Sequence, residues 1–333
     1  MSTKVEKICS NDLRYRNGVL NSVYIYFKEN LGILIGLLSM CIILSVLSPA
    51  FATTENILNV LRQVSTNANL AFGMTFAIII TGIDLSVGSI LAVSGTVAAG
   101  LIARNGLPLW MAVTVGILVG TFLGFINGFI VARTGMPYFI ATLAMMQIAR
   151  GAAYIYTNGM PIRTDSPAFT ALGNGYLGPV PLPIIYSTVF LIGTSILLNK
   201  TKFGRHVYAV GGNRDAAIFS GINIKKIEIL VFTLIGFLCG VSGVVLCARM
   251  SSGQPTVGVG FELDAIAAVI LGGTSFAGGI GKIGGTMIGV LVIGVLNNGL
   301  NLLNINSFWQ LVAKGLVILL AVYVDILKKK KKK

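Results

Sequence analysis

The 333 residues are 55% hydrophobic and only 11% charged, with a mean hydropathy of +0.85. Such a chain is too apolar for water to be its main solvent, so the composition excludes an ordinary soluble globular domain. The formal charge of +14 has no soluble surface on which to form a nucleic-acid face, and nucleic acid is excluded as a partner.

Runs long enough to cross a bilayer as helices place spans at 31 to 48, 57 to 80, 86 to 103, 109 to 131, 137 to 157, 180 to 198, 229 to 248, 263 to 277, 283 to 304 and 307 to 325. The fold class is therefore all-α, a polytopic membrane helix bundle of about ten transmembrane helices in one transmembrane domain, residues 1–333. No removable signal peptide opens the chain. Lysine and arginine are retained on the cytoplasmic side. With ten spans and the amino terminus inside, the inner segments hold 19 of the 25 basic residues, including Lys4, Arg133, the cluster from Lys200 to Lys226, Lys282 and six terminal lysines. Both termini are thus expected in the cytoplasm, residues 1–30 as an inner segment and 328–333 as a lysine tail that can touch anionic lipid.

In the fourth span, Gly116, Gly120, Gly124 and Gly128 recur every four residues and form one face. That face is expected to press on another helix. The inner loop at 199 to 228 is the most hydrophilic stretch between spans; Asn213 precedes good helix formers from Asp215 to Ser220, and Gly221 follows them. A short amphipathic helix at the membrane surface is the expected structure, with a plain loop between spans six and seven as the alternative that composition leaves open.

Polar residues in apolar spans are expensive and draw the search for a site. Asn67, Asn69, Asn127, Gln147, Arg150 and Asn298 are candidates for a translocation path, because amides both donate and accept hydrogen bonds as sugar hydroxyls do. Each amide equally suits hydrogen bonding between helices. Asp84, before the third span, reads as a helix cap for that span or as a cation or gating site, with the cap preferred. Asp264 and Glu262 stand in the same relation to the eighth span. The two halves show a weak repeat, in which Asp84 precedes Ile90-Leu91 as Asp264 precedes Ile270-Leu271.

Catalytic and cofactor motifs are missing. Gly279, Gly281 and Gly284 satisfy G-x-G-x-x-G, but between two membrane spans rather than in a strand-turn-helix unit, and a P-loop reading fails at Phe276 and Ile283. A tight turn is the better reading. His206 is the one histidine, and Cys9, Cys41, Cys239 and Cys247 lack metal-site spacing. Neither a metal nor a catalytic residue is expected.

The blocks TGIDLSVGSILAVSG, FIATLAMMQIARG, YTNGMPI, GRHVYAVGGN, SGINIKKIEI, QPTVGVGFELDAIAAVILGGTSFAGG and NNGLNLL, in this order, resemble the permease subunits of bacterial ATP-binding-cassette importers for monosaccharides, ribose permeases in particular. The resemblance implies a plasma (inner) membrane location, a second copy of the permease, a cytoplasmic ATPase that uses the ATP, and a periplasmic or surface-tethered sugar-binding protein. No cofactor is implied on this chain. The 199–228 loop would carry the coupling helix of such permeases, with Asp215, Ala216, Ala217 and Gly221 matching E-A-A-x-x-x-G apart from Asp in place of Glu. The alternative is a carrier driven by protons or sodium, with Asp84, Glu262 or Asp264 as the ion site.

Overall fold

The computed structural model describes residues 31–330. The segment 1–30, including Cys9, and the last three lysines lie outside the described residues. Each of the ten apolar runs contains a helix: α1 (Leu31–Leu47), α2 (Thr54–Ile79), α3 (Val87–Ala103), α4 (Leu109–Thr134), α5 (Tyr138–Thr157), α7 (Leu182–Lys200), α10 (Ile224–Met250), α11 (Phe261–Leu271), α12 (Ile283–Leu302) and α13 (Ser307–Lys330). By length and composition α4, α7, α10 and α12 each suffice to cross a membrane, while α1 and α3 are shorter apolar helices. At one end of the bundle α8 (Lys202–Gly212) and α9 (Arg214–Phe219) join α7 to α10. Between α5 and α7 lie β1 (Ile162–Arg163), α6 (Pro167–Asn174), β2 (Tyr176–Leu177) and β3 (Val180–Pro181); β4 (Ser252–Gly253) pairs antiparallel with β1. Helix α6 had a legible start in Ser166 and Pro167, since the Ser166 hydroxyl accepts from the Phe169 amide.

The α4 glycines find their partner in α10. A methyl group at Gly120 would lie 2.7 Å from the Gly236 carbonyl oxygen, and one at Gly128 would lie 2.7 Å from the Ile229 Cα. A side chain at Gly124 would strike the Phe232 carbonyl. The two backbones therefore touch along the helices, with Gly236 and Gly240 on the facing side. Helix α10 also packs on α3, where Gly95 and Leu91 approach Gly243. In the other half α2 packs on α11 and α12, and α2 and α10 lie against each other, running antiparallel with Gly73 beside Ile235 and the Ser242 hydroxyl on the Thr66 carbonyl. Each half thus supports the helix pair of the other.

The eighth run departs from the expected 263–277 helix. Helix α11 has 11 residues, about 16 Å at 1.5 Å per residue, and cannot cross a hydrocarbon layer of about 30 Å. Residues 251–260 precede it as the short strand β4 followed by turns, drawn out along α3 with Gly253 against Thr96 and Ala99 and Gly258 against Gly88. The α3 stretch it covers is itself about 16 Å long, so the segment and α11 together reach about the thickness of the layer. Irregular backbone at that depth is tolerated because protein covers it.

The repeat register proposed from sequence does not hold in three dimensions. Helices α3 and α11 begin at Val87 and Phe261, so Asp84 lies before its helix while Asp264 lies inside its own. The matched Ile-Leu pairs occupy different depths of the two helices.

Overpacking this backbone contact would cost on the order of 1–3 kcal/mol or more. Gly120→Leu is expected to reduce sharply the monodisperse protein recovered in detergent. Gly193→Leu on α7, where nothing lies within 4 Å of the added atom, should leave recovery unchanged. Equal recovery of both variants on size-exclusion chromatography would refute the contact.

Candidate functional site

The α8–α9 end of the bundle is built from capped short helices. Thr201 starts α8 by accepting the Gly204 amide at 3.2 Å. Gly211 near its end lies against the Ile79 carbonyl at the end of α2. That carbonyl accepts the Gly279 amide at 2.9 Å, and the Tyr208 hydroxyl donates to the Gly281 carbonyl at 2.6 Å. The glycine-rich stretch is thus the packed turn expected of it. Asn213 ends α8 and starts α9, its Oδ1 accepting from the Ala216 amide at 2.9 Å. Ala217 is buried, Asp215 and Ala216 are exposed, and Phe219 is 90% exposed. Gly221 takes a φ of 76°, with its amide on the Ile218 carbonyl at 2.9 Å. Asp215, Ala216, Ala217 and Gly221 therefore stand on one short, terminated helix that presents Ile218 and Phe219 outward.

Three residues that sequence reasoning passed over tie this helix to the bundle. Arg214, the first residue of α9, donates to Glu228 Oε1 at 2.8 Å and to the Tyr138 hydroxyl at 3.0 Å. Tyr138 donates in turn to Glu228 Oε1 at 2.7 Å. Burial pulls the Arg214 pKa down, but the bonds to Glu228 and Tyr138 outweigh it and leave the group above its ordinary value. The sequence offered one faint signal, an acid at 228 just after the basic pair Lys225 and Lys226.

The candidate path residues are scattered. Asn67 lines a narrow cleft with Gln63, Asp264, Gly294 and Asn297. Asn69 is buried on α2. Asn127 on α4 donates to the Ser86 hydroxyl at 2.9 Å, and Asn298 exchanges amide hydrogen bonds of 2.8 and 3.1 Å with Asn56. Arg150 donates to the carbonyls of Pro255 and Val257, holding the 251–260 segment before α11. Gln147 alone lies exposed, midway along α5.

The carboxylates do not cap as expected. Ser86 is the cap residue of α3 and makes no side-chain cap bond. Asp84, fully buried, instead accepts the Ser86 amide at 2.8 Å and the Ser86 hydroxyl in a local turn. Asp264 is the fourth residue of α11, where it accepts from Lys314 on α13 at 3.0 Å and from Asn297 at 3.5 Å. Glu262 folds back on the Gly260 amide at 3.2 Å. Asp84 and Glu262 thus close local turns two residues long, while Asp264 is held by Lys314 and Asn297 on two other helices, partners that no local capping pattern encodes. Among the described residues no group of His, Cys, Asp and Glu could hold a metal ion.

A bundle of apolar helices with a broken segment inside and a terminated short helix outside is the form of a multi-pass membrane permease. The chain belongs to the family described as the branched-chain amino acid transport system / permease component, whose model matches residues 56–322. It is 49% identical to the ribose import permease protein RbsC of Haemophilus influenzae, over 87% of this chain and 91% of that one. The protein of the same name from Bacillus subtilis is 48% identical over 89% and 92%. The L-arabinose transport system permease protein AraH of Escherichia coli is 39% identical over 92% and 93%.

Asp264 is 4% exposed and Lys314 is 24% exposed, so removing one partner strands a buried charge, at a cost of about 3–5 kcal/mol. Lys314→Met is expected to lower the thermal midpoint in detergent clearly, and the double variant Asp264→Leu with Lys314→Met to recover much of the loss. A Lys314→Met midpoint equal to wild type would show that the pair contributes nothing.

Proposed function

We propose that this chain is the membrane-spanning permease subunit of an ATP-driven importer for ribose or a closely similar monosaccharide. Near-half identity to two ribose import permeases over about nine-tenths of each chain carries this reading. ATP is bound and hydrolysed on a separate cytoplasmic ATPase, and this chain holds no cofactor and catalyses no reaction of its own. The ATPase docks on α9, where Asp215, Ala216, Ala217 and Gly221 shape the helix and Phe219 projects from it. A sugar-binding protein delivers substrate at the opposite face, around α6 and the β2–β3 hairpin.

The ten crossings in this reading are α1 to α5, α7, α10, the 251–260 segment with α11, α12 and α13, with both termini in the cytoplasm of a bacterial cell. Two copies form the path. Gln147 is the favoured path residue, because an exposed amide in mid-span suits water or a partner better than lipid. Asn127, Asn298 and Arg150 support the walls through the contacts already described, Asn67 lines the Asp264 cleft, and Asn69 is buried on the same helix.

Two measurements test the reading. In a cysteine-free background, Lys202→Cys is expected to resist an impermeant thiol reagent in intact cells while Arg163→Cys reacts; labelling of Lys202→Cys from outside reverses the topology. Gly221→Pro removes an amide donor and forbids the positive φ, so it should keep the protein in the membrane but abolish ribose uptake and ATPase co-purification. Wild-type uptake in that variant would overturn the assignment, the more so if a protonophore stopped it.

A further inference from the structure

Resting on that reading, we propose that Arg214, Tyr138 and Glu228 are positioning residues that latch α9 to the first turns of α5 and α10, so that movement of the docked helix moves the path helix. Glu228 is 2% exposed and its ion pair is with Arg214, which is 52% exposed. The buried carboxylate thus draws its compensating charge from α9 itself, and separating the two would leave it stranded. Tyr138 is the first residue of α5. Its hydroxyl sits between the other two groups, donating to one and accepting from the other. Its ring stacks on Phe232, one turn further along α10, with centroids 5.8 Å apart.

The linkage continues inward. The Tyr138 ring lies on Gly82, where an added methyl would meet it at 3.4 Å. One turn along α5, the Thr142 hydroxyl donates to the Ile83 carbonyl at 3.1 Å. Both contacts grip the segment that leads through Asp84 and Ser86 into α3. Three helices and one extended segment therefore share a single polar node at the root of α9, and Gln147 lies further along the same α5. A six-residue helix has little packing of its own: Ala217 is its one buried residue. The node is what makes it rigid with respect to α5.

The test uses the whole transporter, permease with its ATPase and binding protein, in proteoliposomes, with ribose uptake and ATP hydrolysis measured on the same vesicles. Tyr138→Phe keeps the ring stack and removes only the hydroxyl, Glu228→Gln removes the charge, and Arg214→Lys keeps it. ATPase co-purification and hydrolysis are expected to stay near wild type in all three. Sugar moved per ATP should fall by roughly two- to thirtyfold, the span of coupling energies carried by such contacts, most in Glu228→Gln and least in Arg214→Lys. A merely structural role would lower the amount of folded complex without changing sugar moved per ATP. An unchanged ratio in Tyr138→Phe overturns the latch even if Glu228→Gln fails to fold. Loss of ATPase co-purification in the three would make the node a docking element and equally overturn it. Wild-type uptake in Gly221→Pro would instead strike the underlying assignment, so the two failures are separable.

Discussion

The contact between the backbones of α4 and α10 sets the rest of the molecule. In lipid there is little hydrophobic gain when two apolar helices meet, so association relies on dispersion and close approach. Gly120, Gly124 and Gly128 let α4 reach the carbonyls and Cα atoms of α10, where Gly236 and Gly240 face them, while Gly116 meets the Ser94 carbonyl of α3. With α10 held there, α3 is trapped between its neighbours, and Asp84, Ser86 and Asn127 are brought into one buried cluster. The same α10 carries Glu228 near its N-terminus and so decides where α9 is anchored.

Burial inside a bundle gives polar side chains a choice between holding helices together and facing a passage. Asn298 and Asn127 take the first option, as the Asn56 and Asn298 pair and the Asn127 bond show. Arg150 stabilises backbone that has no helix of its own at that point: its guanidinium satisfies two carbonyls of the segment leading into α11. Unpaired carbonyls at such depth would be costly. The short α11 is therefore bought with a buried cation.

The α8–α9 end of the bundle joins two mechanically different parts. Helix α8 is fixed to the end of α2 and to the 272–282 turn by Tyr208 and the close approach of Gly211. Helix α9 is small, exposed on one side and held by the Arg214, Tyr138 and Glu228 node. A contact that is polar, compact and shared by several helices suits transmission better than apolar packing, because its geometry is directional.

Composition and hydropathy by themselves determined the membrane class, the position of every long helix and the glycine face of α4, because the bilayer demands apolar runs of a set length and helix packing in it demands small residues. The Asn213, Asp215 to Ser220 and Gly221 pattern likewise located a short helix within one residue of Arg214–Phe219, since capping and termination are local. Tertiary structure alone decided that α11 is a half-length helix after the 251–260 segment, that α8 precedes α9, and that Asp84 and Asp264 bond Ser86 and Lys314 rather than cap helices. It alone joined Tyr138 to Arg214 and Glu228, residues 76 and 90 positions away from it in the chain. For Asp264 and the Tyr138 node the physical reason is the same: a buried polar group takes whatever partner the folded helices bring to it, and that partner is set by packing between distant segments, which local sequence does not record.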